Sequence, residues 1–516
     1  MIAGFSFKKF CIGKAVPIQK GGENLIRWDI SKCEIFSEFT AEEQQKYFSY
    51  NGNKVIHNID TFYYSVYLDE FDNEGKYIEN MIKFLDELSD KYKQGEKEIM
   101  VGELAFMPLK FSFYEYCLRL ENMYDIFISR YLPNKNTPRV VIQLRSIGLW
   151  MDGTKPLIES SYKDMQTFLK RFYVTVVKVT ENRIDYAYHT NIIQNTTKYF
   201  SDKNMLESLK TQLERYHKVG NIGKEITVDY LSLGMRKSNN VFFRAYNKTR
   251  EVIEQNYKGF FIEYWHKHKL ISDYDKWVLE KAYQLGTYNS LLVARIDWYL
   301  QNGKNEERKK KLRKLKRSCY EKSDNSGYIA DELDGVLPEV TMIVNVEFQT
   351  KRKFYYTMNK FIDELPSLIP PNELFYRIYQ IIDNRKAFLD YLTSGTVAFM
   401  NGDDYASWWQ RIRCVKVQSI ENGGLYREYA RKLDIEKLKQ RMAGTIASSS
   451  VYRNKCNNNG FSDDVSDMLC MLNDNDVAGL VISPDTGELL EFSYRNYETV
   501  KKRKNRQLKA FFKDEI

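Results

Sequence analysis

Two periodicities alternate along this chain. Residues 58–67 form a run of apolar, aromatic and β-branched side chains of strand length. The same kind of run recurs at Pro138–Arg145, around Arg183, from Val241 to Tyr246, around Leu292–Asp297 and from Met342 to Phe348. Elsewhere the spacing turns helical. Ile78, Met81, Ile82, Phe84, Leu85 and Leu88 predict a helix over about Ile78–Tyr92, and others are expected near Ser161–Phe172, 201–218, 251–255, 260–269 and 272–285. Strand–helix–strand units of this kind predict an α+β fold, an antiparallel-rich central sheet with helices on one face. Pro370-Pro371 marks a boundary, after which the pattern is mainly helical. Residues 1–54 lack strong periodicity and read as a lead-in. The expected division is therefore 1–54, a central domain over 55–360, and a mainly helical region over 361–516 that serves DNA or partner binding.

Composition narrows the class. Of 516 residues, 43% are hydrophobic and 15% aromatic, so the chain has ample core. Its seven Cys are widely spaced and odd in number, with no CxxC, which fits reduced thiols and not a zinc site. Neither a signal-peptide core nor an apolar run of about 20 residues is evident. A soluble cytoplasmic protein with no membrane partner is expected. The net charge of +9 is unevenly placed. Residues 301–320 hold nine Lys/Arg against two Glu, and 495–513 hold eight against one. Such clusters attract phosphate backbones, although solvated helix faces or tails have the same composition.

The candidate chemistry lies in three short phrases. Arg183-Ile184-Asp185-Tyr186 returns as Arg295-Ile296-Asp297-Trp298, and between them lies Arg244-Ala245-Tyr246-Asn247-Lys248. Read as strands, each phrase puts alternate side chains on one face. Arg183 would join Asp185, Arg295 would join Asp297, and Arg244, Tyr246 and Lys248 would lie together. Asp185 and Asp297, with Glu347 as a third candidate, are acids in apolar runs, and paired acids of this kind suit Mg²⁺ or Mn²⁺. The alternative is a salt bridge to a flanking Arg. Tyr246 is the candidate nucleophile, since Arg244 and Lys248 at i−2 and i+2 would favour a phenolate. The alternative is one more packed aromatic, with Tyr186, Tyr188 and Tyr288 as fallbacks.

Other motifs carry less. His266-Lys267-His268 falls in a helical pattern, where i and i+2 face apart, so it is not a metal pair. His189 is a candidate supporting base. Gly220–Lys224 is too short for a phosphate-binding loop, and neither GxxxxGK[ST] nor GxSxG occurs, which argues against an ATP-driven motor and a serine hydrolase. Tyr405–Arg413 sets aromatics beside cations, either to stack on bases or to anchor a helix in the core. Residues 424–455 read as two helices with a polar break.

Gly234-Met235-Arg236-Lys237-Ser238-Asn239-Asn240 followed by Arg244, Tyr246, Lys248 and Glu251 resembles the replication initiation factor family. That family includes rolling-circle plasmid initiators and conjugative-element relaxases. Its Arg-x-Tyr-x-Lys-x-x-Glu phrase is matched by these four residues, and its early Arg-Ile-Asp strand by Arg183-Ile184-Asp185. A later acidic strand is matched either by Arg295-Ile296-Asp297 or by Asn345-Val346-Glu347, so the second metal acid stays open. The resemblance spans about residues 55–360. It implies a metal-dependent nicking and joining enzyme in which Tyr246 attacks a phosphodiester of single-stranded or melted origin DNA, leaving a 5′-phosphotyrosine and a 3′-OH. Arg244, Lys248 and Glu251 would assist. A host helicase or polymerase and a homodimer are the partners this reading allows. The alternative is a non-catalytic origin-binding replication protein that recruits host factors. A weaker one is an RNA-binding regulator.

Overall fold

The computed structural model describes residues 33–417, apart from 51, 53, 112, 134–136, 202–207, 212, 223–224, 256–257, 288–289, 319–335 and 369. It also describes short strands at Leu25–Ile26, Leu480–Ile482 and Leu489–Glu491. Two compact units divide the chain, residues 1–428 and 429–516. In the second, Leu480–Ile482 pairs antiparallel with Leu489–Glu491. The basic tail at 495–513, the helical reading of 424–455, and Tyr288 lie outside the described residues.

One antiparallel sheet organises the first unit. Its strands are β1 (Val55–Leu68), β2 (Ile99–Val101), β3 (Leu104–Phe111), β4 (Tyr114–Leu120), β5 (Tyr124–Ile128), β6 (Val140–Leu144), β7 (Val176–Thr190), β8 (Arg215–Ile222), β9 (Glu225–Leu233), β10 (Val241–Asn247) and β11 (Val344–Lys351). Their spatial order is β8-β9-β10-β11-β7-β1-β6-β5-β4-β3-β2. The expected α+β architecture, an antiparallel sheet with helices and a mainly helical stretch after it, is what the chain adopts.

The two faces of this sheet differ in character because side chains alternate. On one face Phe62, Tyr64, Val66, Leu118, Ile126, Ile142, Ile184, Tyr186, Tyr188, Phe243, Val346 and Phe348 form a large apolar core. Helices Lys76–Lys93 and Thr154–Lys170 cover it through Met81, Leu85, Leu157, Met165 and Phe168. Later segments fill the same core: Phe354, Tyr355, Ile378, Phe388, Phe399, Trp408 and Trp409 are all buried in it. Trp408 and Trp409 thus anchor the helix Ser407–Arg413. The opposite face carries Arg119, Asp125, Gln143, Tyr63, Arg183, Asp185, Glu347, Arg244, Asn345 and Tyr246, placed there by register. A second helical group, built on Val252, Phe261, Trp265, Leu279, Ile296 and Trp298, packs against Ala187 at one end of this polar face.

Two elements differ from the sequence pattern. Residues Arg295–Asp297, expected as a strand, lie in the helix Ser290–Asn302. Val293, Ala294, Ile296 and Trp298 are buried together with the neighbouring helices, and a short apolar run does not distinguish strand from buried helix. The stretch 201–218, expected as a helix, instead supplies the strand Leu209–Thr211, paired antiparallel with Val397–Phe399, and the start of β8, paired with β9. Cross-strand pairing overrides local spacing there.

Candidate active site on the polar sheet face

Tyr246 sits in β10 directly opposite Asn345 of β11, which is itself opposite His189 of β7. Arg244 is opposite Glu347, and Asp185 is opposite Gln349. This register puts Tyr246, Asn345, Glu347, Arg244 and Asp185 on adjoining positions of one face.

The phenol of Tyr246 is 8% exposed and its oxygen is fully engaged. It accepts from Asn345 Nδ2 at 3.0 Å and from Lys248 Nζ at 3.4 Å, and it donates to Glu251 Oε2 at 3.3 Å. The Arg244 guanidinium lies 4.9 Å from the ring centroid. Burial pushes this phenol well above the ordinary tyrosine range, and Lys248 and then Arg244 pull against it.

Lys248 and Glu251 are placed by the helix Lys248–Glu254, whose first turn is fixed by Asn247 Oδ1 accepting from the Arg250 backbone N–H at 2.9 Å. Three residues apart, they share one side of that helix and pair at 2.6 Å. Lys248 is wholly buried, and Lys258 reaches Glu251 from the following loop at 2.7 Å. Burial raises the Glu251 carboxyl, but Lys248 and Lys258 overcome this and hold it down at about 2. Burial likewise disfavours the Lys248 ammonium, yet Tyr246, Asp60 and Glu251 keep it firmly charged.

The two sheet acids are each held by an arginine. Glu347 takes Arg244 at 2.7 Å and Asn345 Nδ2 at 3.0 Å. Asp185 takes Arg183 Nε at 2.8 Å, with Arg183 NH2 on its other oxygen. Burial pushes the Asp185 carboxyl up to about 6; Arg183 opposes this, and nearby Glu347 adds to it. Three buried polar atoms on this patch have no hydrogen-bond partner: Arg244 Nε, Asn345 Oδ1 and His189 Nε2. The first two adjoin the acids.

Two further side chains complete the surroundings: Asp60, which no local sequence signal marks, and His189, the candidate supporting base. A register shift in β1 between Ile59 and Thr61 sets Asp60 apart from the ladder. Asp60 accepts from Ser146 and from Trp150 Nε1 at 2.9 Å, and it faces the charge of Lys248. Bulges of this kind re-aim a side chain near functional sites. His189 stacks on Trp150 at 4.4 Å and takes a hydrogen bond from Trp265 Nε1 at 3.0 Å. Burial holds its imidazole neutral, with Lys248 acting in the same direction.

Asp297 is not brought to this patch. It lies on the helix Ser290–Asn302 and pairs with Lys316 of the helix Glu306–Ser318, while Arg295 donates to the Leu337 and Pro338 carbonyls. The choice between Asp297 and Glu347 therefore falls to Glu347 on position. Tyr186 and Tyr188 are on the apolar face, buried in the core. His266 pairs with Asp273 at 2.6 Å.

Among the described residues no three His, Cys, Asp or Glu side chains gather as a metal site. Asp185 and Glu347 supply two carboxylates, and the unpartnered Asn345 Oδ1 supplies a third hard oxygen of the type that Mg²⁺ or Mn²⁺ takes. These are oxygen donors of the hard type, and Arg183 and Arg244 offset the two acids.

No helix among the described residues is long and apolar enough to cross a membrane. No family model matches the chain, and no curated protein does. Among solved structures, the chain is similar to a rolling circle replication initiator protein from Geobacillus stearothermophilus, with a TM-score of 0.34 and 9% identity, over 72% of this chain and 100% of that one.

Proposed function

We propose that this chain initiates rolling-circle replication or transfer of a plasmid or other mobile element by nicking single-stranded origin DNA through Tyr246. The observation that carries this reading is the phenol itself, held between two donors and a carboxylate acceptor beside two paired acids. A neutral phenol already uses both lone pairs on Asn345 and Lys248. When its proton is lost to water, a third pair becomes free, while the two donors remain to stabilise the phenolate; Glu251, held at about 2, orients the hydroxyl and does not keep the proton. That pair attacks phosphorus: the Tyr246 O–P bond forms, the bond from phosphorus to the 3′ oxygen breaks, and the departing oxygen takes a proton from solvent. The products are a 5′-phosphotyrosine and a 3′-OH, and the phosphoester is kept for rejoining. Arg244, whose Nε lacks a hydrogen-bond partner, would hold a phosphoryl oxygen. Asp185, Glu347 and Asn345 Oδ1 would hold Mg²⁺ or Mn²⁺, which would polarise the phosphoryl group and offset its developing charge.

A second reading rests on one specific observation. Both acids are closed off by arginine pairs, an arrangement that also suits a protein that binds the origin without cutting it and recruits a host helicase or polymerase. Incubation of the protein with labelled single-stranded origin oligonucleotide and Mn²⁺, followed by a denaturing gel, separates the two. The nicking reading expects a covalent adduct that Tyr246→Phe abolishes while binding persists. Binding without any adduct, in both proteins, supports the recruiter.

A further inference from the structure

The polar face continues beyond Tyr246 across the sheet, and its outer half has a composition of its own. Cys117, Phe127 and Val141 form a small apolar cluster there, edged by half-buried Tyr63, Tyr114, Met107 and Leu109. Every member comes from a strand, and Cys117, Phe127 and Val141 are themselves buried, which leaves Tyr63 and Tyr114 as the rings at its edge. Beside it, Asp125 is buried beneath two arginines: Arg119 Nε lies at 2.6 Å and Arg145 NH2 at 2.5 Å. The acid's side chain is 1% exposed, whereas those of Arg119 and Arg145 are 26% and 31% exposed. The same layering holds at Arg183–Asp185 and Arg244–Glu347, with 21% and 23% exposure for the arginines against 2% and 1% for the acids. In each pair the arginine is the more exposed partner, so an approaching molecule meets the cation before the acid. Arg183 also lies 5.3 Å from the centroid of the Tyr63 ring. At the neighbouring turn Lys351 donates to the Arg236 and Lys237 carbonyls, and Arg236 donates to Gln349, which adds two cations without local acids of their own.

From this layering we infer that the sheet face from β10 to β4 is a track for single-stranded DNA, in which Arg244, Arg183 and the Arg119–Arg145 pair hold successive phosphates and half-buried Tyr63 and Tyr114 receive bases. The assignment rests on the nicking reading for its choice of DNA and for the end at which Tyr246 lies. From β10 to β4 there are six inter-strand steps in the order β10-β11-β7-β1-β6-β5-β4. At about 4.8 Å each, they span roughly 29 Å, on the order of four to five extended nucleotides. Stripes of cations with interleaved aromatics bind single strands in a sequence-tolerant, salt-dependent way.

The test is fluorescence anisotropy of full-length protein with fluorescein-labelled dT8 over a salt series. Arg145→Gln leaves Arg119 on Asp125, so the buried acid keeps a partner. Tyr63→Leu removes the ring but keeps apolar bulk. Lys83→Gln, on the helix-covered side, is the control. Tyr63→Leu should weaken dT8 binding by roughly 5- to 100-fold, the range of one lost base stack. Arg145→Gln should lower the slope of log affinity against log salt by about 0.7, the loss of one phosphate contact. Lys83→Gln should bind as the parent does. Photo-cross-linking with bromodeoxyuridine-substituted dT8, which needs no variant, should label peptides carrying Tyr63 or Tyr114. Parent-like binding by both Arg145→Gln and Tyr63→Leu, cross-links confined to the helices of the other face, or tighter binding of U8 RNA overturns the track. Adduct formation at Tyr246 is scored in parallel. An adduct with neutral track variants leaves nicking standing and removes the track, and weakened track variants with no adduct do the reverse.

Discussion

Lys248→Met is the most informative single perturbation of the site. The ammonium is wholly buried, 2.6 Å from Glu251 and 4.8 Å from the Phe261 ring centroid, and it faces Asp60. Methionine keeps most of the aliphatic volume, so the change removes the charge with little cavity. Breaking a buried pair by deleting one partner costs about 3–5 kcal/mol. Lys258 stays on Glu251 at 2.7 Å, and Asp60 keeps Ser146 and Trp150, which places the expected loss near the lower end, about 3 kcal/mol. Urea unfolding followed by fluorescence measures it. Glu251→Gln alone should also destabilise, although Lys248 retains Asp60 and the Tyr246 oxygen. The double variant should be more stable than the sum of the two losses predicts, by at least about 1 kcal/mol, since both charges leave together. The phenol of Tyr246 also loses its strongest cationic support, so adduct formation should fall further than stability alone explains. Strict additivity in the cycle, or a Lys248→Met protein as stable as the parent, would refute the buried-pair reasoning.

The remaining predictions concern pH, the turn and the core. Asp185 is raised to about 6 from an ordinary 3.8, so the stabilisation that comes with its protonated form is present below 3.8 and lost as pH rises through 6. Asp185→Asn should flatten the unfolding free energy between those values. Mn²⁺ must displace that same proton, so its affinity, measured by calorimetry, should fall about tenfold per unit below pH 6. Glu251 behaves oppositely: held at about 2 against an ordinary 4.5, it contributes stability above 4.5 that is lost as pH falls toward 2, an effect on the order of 3 kcal/mol that Glu251→Gln should remove. Gly234 has φ +84, and an added Cβ would lie 3.4 Å from the Val241 carbonyl, so Gly234→Ala should lower stability by about 1 kcal/mol or more in thermal unfolding. Trp409 is fully buried against Phe399, Phe243 and Phe348, and its indole donates to the Thr393 carbonyl at 2.9 Å; Trp409→Ala should cost about 3–5 kcal/mol by urea unfolding.

The parts of this fold legible in the sequence are those where local pattern and tertiary environment agree. β10 and β11 have one face in the core and one polar, so alternation marks Arg244, Tyr246, Asn345 and Glu347 as neighbours once the strands pair. Helix Lys76–Lys93 shows the same agreement, with Ile78, Met81, Leu85 and Leu88 buried on one stripe. Arg295–Asp297 misleads because its apolar neighbours are buried by other helices, which erases the difference between the two periods. The strands β2 to β5 escaped the pattern reading altogether; they form an edge whose aromatics serve both faces, with Tyr116 in the core and Tyr114 at the small apolar cluster. Within the site, Lys248 and Glu251 were accessible because three residues of helix link them. Asp60 and Lys258 were not: one depends on a bulge and the other on a loop's return, and neither leaves a local signature.

The central claim is that the sheet delivers one particular phenol to phosphorus. Its most direct measurement is protease digestion and mass spectrometry of protein incubated with single-stranded origin oligonucleotide and Mn²⁺. The account predicts a nucleotide attached to the peptide containing Tyr246, through the tyrosine oxygen, and no such species from Tyr246→Phe. A nucleotide on another residue, or an undiminished adduct in the Phe variant, would contradict it.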